Sequence, residues 1–286
     1  YCKDVYYPTA KQDLSGNSVL KLGYKGILSL TIVVYTNNKE THSAFNAMIP
    51  NPTTDLISLL NTLYLDNEFL IDSLKNPYRL SKEENNLVEE IFKELDLEKI
   101  KKKAGIVEIQ EESPKKAFIN YLFKTTFNIS TLKSGFLEGE TKNTISNQAL
   151  CNIDIRFAHD VSVDKIYKEI QEKVDSFTKK SKCQIKLINN CGYESSRVNK
   201  DSILVKSLIK SFKEFPVEIW PISPAAAPLI KINKILKLNF MSGGLGVGGY
   251  AHTTNEFIQY DSIINTRISN YNFLKSYSDL VKKKDN

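Results

Sequence analysis

Residues 26–36, GILSLTIVVYT, form a continuous β-branched and apolar run that predicts a central strand. Asn51-Pro52 then marks a helix start, with Asn as N-cap and Pro at the first helical position. Leu56, Leu59, Leu60 and Leu63 follow at helical spacing. Ser81 and Glu84 form a capping box ahead of a second helix bearing Leu87, Ile91 and Leu95. The whole stretch from about 66 to 125 is rich in Lys and Glu and reads as a helical insertion.

The period then changes. TFNISTLK at 126–133 alternates as a strand. So do residues 148–157, with Cys151, Ile153, Ile155 and Phe157 on one face and Asn152, Asp154 and Arg156 on the other. Ser162 caps a helix carrying Val163, Ile166, Ile170, Val174 and Phe177, and a strand over 183–189 closes the unit. The order β-α-(insertion)-β-β-α-β is that of a ferredoxin-like, split βαβ sheet with helices on one face.

After Asn189 the rhythm is α/β: a helix near 202–214 capped by Asp201, a strand from Val217 to Trp220, and a Pro/Ala segment, PISPAAAPLI. A strand near 236–241, a Gly-rich loop and a terminal helix near 263–282 complete it. This is too short for a whole doubly wound sheet. The expected fold is therefore α/β. A ferredoxin-like domain over 26–190 is inserted into a larger α/β domain, of which 1–25 and 191–286 are parts.

Composition narrows the class. The 286 residues can bury a large core, and 41% hydrophobic with 25% charged residues is ordinary for a soluble globular protein. The sequence has no apolar run long enough to span a bilayer and no signal peptide, so a membrane partner is not expected. The net charge of +6 is modest and its lysines are scattered along helices, which reads as solvated faces rather than a nucleic-acid footprint. Cys2, Cys151, Cys183 and Cys191 lack zinc-type CxxC spacing and fit a reducing, cytoplasmic location. The sequence opens at Tyr1 without a methionine and reads as the middle of something, a processed protein or a fragment.

The candidate chemistry sits at Ser242 to Glu256, SGGLGVGGYAHTTNE, where five glycines lead into His252, one of three histidines. Such a run lets backbone approach another group closely, and a histidine at its end suits a metal ligand or acid–base group. On its own the pattern reads first as a plain surface loop with a satisfied histidine.

Four motifs in order carry a resemblance. They are GYKGILSLTIVV at 23–34, THSAFNAMIPNP at 41–52, ETKNTISNQALCNIDIR at 140–156 and AHTTNE at 251–256. Together they resemble the dinuclear zinc metallopeptidases and amidohydrolases that include acetylornithine deacetylase, succinyl-diaminopimelate desuccinylase, glutamate carboxypeptidase and the aminoacylases. The match leaves out only the insertion. It implies a partial zinc-peptidase catalytic domain carrying an inserted lid and dimerisation domain.

The resemblance also implies roles. His252 would be a zinc ligand. His42 would reach from the lid, in this family typically that of a dimer partner, to stabilise a developing oxyanion. Arg156 would hold a substrate carboxylate through paired charge-assisted hydrogen bonds. Asn143 would assist substrate binding. Gly243 and Gly244, within the run to Gly249, and the Ala225-Ala226-Ala227 segment would line the cleft, although the family often has glycines where these alanines stand. The implied reaction is hydrolysis of an amide bond in an N-acyl amino acid or small peptide. Two zinc ions would activate a water, with cobalt or manganese as alternatives. A homodimer through the lid is implied as well.

Most of the donors such a site needs are missing. Neither His42 nor His159 sits in a His-x-Asp motif. Glu83-Glu84 and Glu111-Glu112 fall in the charged segment and read as solvated helix or turn residues. A carboxylate ligand is due near Tyr7-Pro8, where the closest is Asp4. Two readings follow. The chain is the carboxyl-terminal part of an active hydrolase whose amino-terminal metal-binding half lies elsewhere, or it is a degenerate relative kept as a dimerising or binding subunit.

Overall fold

A computed structural model describes residues 4–11, 18–136, 142–212, 215–249 and 254–285. The chain opens with β1 (Asp4–Lys11), β2 (Ser18–Lys21) and the long β3 (Gly23–Tyr35). A short β4 (Thr41–His42), α1 (Pro52–Leu63) and a small hairpin of β5 (Tyr64–Leu65) and β6 (Glu68–Phe69) follow. Helices α2 (Lys82–Glu94), α3 (Leu97–Ala104) and α4 (Pro114–Phe123) precede β7 (Thr126–Ser134), β8 (Thr144–Ile145) and β9 (Gln148–Phe157). Next come α5 (Val163–Thr178), β10 (Gln184–Tyr193), β11 (Ser196–Arg197), α6 (Ile203–Ser211), β12 (Val217–Trp220) and β13 (Ser223–Ala226). The last elements are α7 (Leu229–Leu236), β14 (Asn239–Gly249), β15 (Phe257–Ile258) and α8 (Tyr260–Asp285).

The chain divides into two compact units. One comprises Gly26–Tyr78 and Lys124–Ser195. Its sheet runs β10-β3-β9-β7, with every neighbouring pair antiparallel. Alternation decides which face is buried: Leu28, Leu30, Ile32 and Val34 of β3 and Cys151, Ile153, Ile155 and Phe157 of β9 point to one side. Leu56, Leu59 and Leu63 of α1 and Ile166, Ile170 and Val174 of α5 pack on that side in a single core. α1 starts where the sequence places it, because the Asn51 carbonyl oxygen Oδ1 accepts from the Thr53 and Thr54 amides at 3.0 and 3.4 Å.

The other unit comprises residues 1–25, Arg79–Phe123 and Ser196–Asn286. The helical segment 79–123 belongs here, whereas the sequence reading set it within the lid. The sheet of this unit runs β1-β14-β2-β12, with β15 paired to the end of β14. β14 lies parallel to β1 and antiparallel to β2. Leu20 and Leu22, Leu204 and Leu208 of α6, Met241 of β14 and Phe273 of α8 make its core.

Local expectations change at three places. The glycine run is not a loop: through Gly249 it is strand β14, held between β1 and β2. A Cβ on Gly243 would meet the Val19 carbonyl oxygen at 2.6 Å, and its φ of +154° suits glycine, so glycine is what lets β2 lie this close. Ser202, not Asp201, caps α6, because its hydroxyl accepts from the Val205 amide at 3.3 Å. The Pro/Ala segment splits into β13 and the unforeseen helix α7.

Candidate active site

In the first of these units, the segment containing His42 and the segment containing Asn143 are joined. β4 pairs with β8 so that His42 stands opposite Thr144. The Ser43 amide donates to the Asn143 carbonyl at 2.8 Å, and the Thr144 hydroxyl donates to a Glu40 carboxylate oxygen at 2.6 Å. A turn at Ser43–Phe45 follows, and Asn51 Nδ2 ties its far side to Asn46 Oδ1 at 2.9 Å. His42 and Asn143 are both exposed. The His42 Nδ1 accepts from the Ala44 amide at 3.1 Å. A neutral ring that accepts at Nδ1 carries its proton on Nε2, so His42 presents an N–H donor from an exposed position. Glu40 is a residue of this clamp that no sequence pattern marks.

Arg156 stands apart from the clamp. It lies near the far end of β9, roughly 25 Å along the strand from Gln148 at the usual rise per residue. It lies opposite Ile27 and Thr126. Its Nε meets Asp154 Oδ1 at 3.3 Å, and Asn128 Nδ2 donates to the other Asp154 oxygen at 2.6 Å. The Arg156 side chain is 38% exposed, so it is open in part to solvent. His159, the third histidine, is occupied at both ring nitrogens, by the Asn76 carbonyl at 2.9 Å and the Thr125 hydroxyl at 3.3 Å.

In the other unit, Gly243 and Gly244 are buried in β14. The Gly243 carbonyl accepts from the Tyr6 hydroxyl at 3.0 Å, and Ser242 is bonded to the Tyr24 hydroxyl. Burial raises both tyrosine pKa values above the ordinary 10.0, and the Ser242 bond pulls that of Tyr24 partly back. Asp4 is engaged: one oxygen accepts from Asn239 Nδ2 and the other from the Tyr277 hydroxyl, both at 2.8 Å. Glu84 completes the Ser81 capping box and pairs with Arg197 at 3.3 Å, while Glu111 pairs with Lys116 at 2.9 Å. Ala225 and Ala226 lie in β13, whose Ser223 and Ala226 stand beside Tyr24 and Lys25. His252 lies outside the described residues. Among the described residues, no group of three or more His, Cys, Asp or Glu could hold a metal ion.

The family model for the M20 peptidase dimerisation domain matches residues 22–182, more than half of the chain. The chain belongs to the M20 peptidase family. No curated protein matches it by sequence. Solved structures of M20-type peptidases share the fold. The M20 family metallo-carboxypeptidase Sso-CP2 of Sulfolobus solfataricus has a TM-score of 0.82 at 23% identity, covering 94% of this chain and 62% of its own. Human carnosine dipeptidase 1 has a TM-score of 0.75 at 18% identity, covering 95% of this chain and 60% of its own. The dipeptidase Dug1p of Saccharomyces cerevisiae has a TM-score of 0.76 at 18% identity, covering 96% and 59%. This M20 chain thus spans about three-fifths of the length of these relatives. Among its described residues, no helix is long and apolar enough to cross a membrane.

Proposed function

We propose that this chain is the carboxyl-terminal part of a zinc-dependent amidohydrolase that cleaves an amide bond in an N-acyl amino acid or small peptide. The observation that carries this reading is the clamp joining His42 to Asn143 within a domain of a peptidase family. The Ala44 bond fixes the tautomer in which His42 Nε2 can donate to an oxygen gaining negative charge. Arg156, steered by Asp154, offers a guanidinium for a substrate carboxylate.

The length of β9 between the clamp and Arg156 supports their serving different sites of a homodimer. The clamp would reach into the partner's cleft. The match to a dimerisation domain supports the dimer, and β7, the terminal strand of its sheet, exposes Ile129 and Leu132 at 43% and 56%. A chain that stays monomeric at high concentration counts against this arrangement.

The described donors do not fit a dinuclear metal site. Asp4 is held by Asn239 and Tyr277, and the remaining carboxylates and histidines above are paired or apart. His252 would supply one ligand, and the rest would come from residues outside this sequence, so the isolated chain is inactive. The engagement of Asp4 also favours the second reading, a non-catalytic dimerising subunit. One experiment decides between them. Adding the metal-binding half of an M20 enzyme should confer amidase activity on N-acyl amino acids or dipeptides, and His252→Ala should abolish it. Activity that survives His252→Ala sinks the ligand assignment, and no activity with any complement favours the subunit.

A further inference from the structure

The turn that His42 opens is tight and internally fixed. The Asn46 amide donates to the Ser43 carbonyl at 3.0 Å and the Met48 amide to the Phe45 carbonyl at 2.8 Å, each three residues back. The bonds from the Ala44 amide to His42 Nδ1 and from Asn51 Nδ2 to Asn46 Oδ1 hold its two ends. In a 3₁₀ turn, side chains three residues apart eclipse one another, and Phe45 and Met48 follow His42 at that interval. Every residue from His42 to Met48 is exposed. Phe45 is 47% and Met48 78% exposed. Turn tips are ordinarily built from Gly, Pro, Asn, Asp and Ser, whereas this one holds out a ring and a thioether.

Three observations say what meets them. Together the two side chains expose on the order of 200 Å² of apolar surface, far below the roughly 800 Å² per partner of a stable protein–protein interface and close to the size of one ring. A phenyl ring and a thioether both gain from contact with an aromatic group, by offset or edge-to-face packing on Phe45 and by a sulfur–ring contact at Met48. The head of the same turn is His42, whose Nε2 donor serves the scissile carbonyl in the reading above. That reading gives the carboxylate on the amine side of the amide to Arg156, so the group left for the turn is the acyl one.

We propose that Phe45 and Met48 form the acyl-group contact of this site, and that the amide cleaved carries a large apolar acyl group, aromatic by preference. The turn's own hydrogen bonds hold both side chains in place before substrate arrives, so little ordering is needed on binding. The inference rests on the reading of His42 as the donor to the oxyanion.

The test uses the full chain with isotope-labelled methionine methyls. Met48 and Met241 are its two methionines, and Met241 is fully buried, so one signal reports on the turn and the other is the control. N-benzoylglycine should shift the Met48 methyl saturably while that of Met241 stays in place. Its affinity should exceed that of N-acetylglycine at least tenfold, the effect of roughly two buried methylenes. Phe45→Ala should weaken N-benzoylglycine at least fivefold and leave N-acetylglycine unchanged. No Met48 shift, equal affinities for the two probes, or a preference that survives Phe45→Ala overturns the proposal. A homodimer that Phe45→Ser with Met48→Ser dissociates also overturns it, since the partner subunit then covers the pair. Selective binding at Met48 by a chain that no metal-binding half renders active leaves the contact standing and refutes the hydrolase reading. A complemented chain that cleaves N-benzoyl and N-acetyl amino acids equally well keeps that reading and refutes the contact.

Discussion

Gly243→Ala separates a glycine run built into a sheet from one that forms a surface loop, because the two give opposite signs. In a loop, replacing glycine by alanine removes freedom from the unfolded chain and stabilises by about 0.4–1 kcal/mol. In β14 the new Cβ meets the Val19 carbonyl oxygen at 2.6 Å and Leu20 Cδ2 at 3.2 Å, with φ at +154°. The oxygen belongs to the backbone of the paired strand β2 and cannot swing away. Backbone strain of about 1–3 kcal/mol adds to an overpacking cost of about 1–3 kcal/mol, giving a loss of about 2–6 kcal/mol. At mid-range values, a loss of about 4 kcal/mol against a urea dependence of about 2 kcal/mol per molar, the midpoint falls by roughly 2 M. Trp220, the single tryptophan, reports on this sheet, since β12 pairs with β2 one residue from the Gly243 contact. Gly105→Ala in the same unit is the control, because its φ of +68° costs about 1 kcal/mol but nothing lies within 4 Å of its Cβ. A Gly243→Ala midpoint that is unchanged, raised, or lowered no further than that of Gly105→Ala refutes the argument.

Burial sets the reactivity of the cysteines. It pushes Cys151 up to about 11 and Cys183 up to about 12, with Asp55 adding to the latter, whereas Cys191 is exposed. At pH 8 roughly one in a thousand Cys151 thiols or fewer is ionised, so among the three described cysteines Cys191 should be alkylated first and the two buried thiols only on unfolding, as site-resolved mass spectrometry will read. Asp4→Ala should cost about 1–3 kcal/mol by Trp220 fluorescence, because Asn239 Nδ2 and the Tyr277 hydroxyl lose their acceptor. An unchanged stability would show that Asp4 is not held as described.

The unit built on the β10-β3-β9-β7 sheet was legible because its signals are local. Alternation along β9, the Asn51-Pro52 start of α1 and the Ser162 cap of α5 each fix an element without help from distant residues. β1 and β2 were not, since DVYYPTAK and SVLK are short and take their strand character from pairing with β14, more than 200 residues away. The glycine run misled for the same reason: glycine has low strand propensity, and only the approach of Val19 explains its presence. The pairing of the His42 and Asn143 segments joins stretches about 100 residues apart and was not read from the sequence either. Glu40 and the tie of Asp4 to Tyr277 depend on contacts across 104 and 273 residues, which no pattern in the chain encodes.

We propose that this M20 chain holds only part of a dinuclear zinc site. Elemental analysis of the purified chain, after dialysis against a weak chelator, tests it most directly. Fewer than two zinc ions per chain and no amidase activity are expected; two tightly bound zincs per chain would mean that the site is whole.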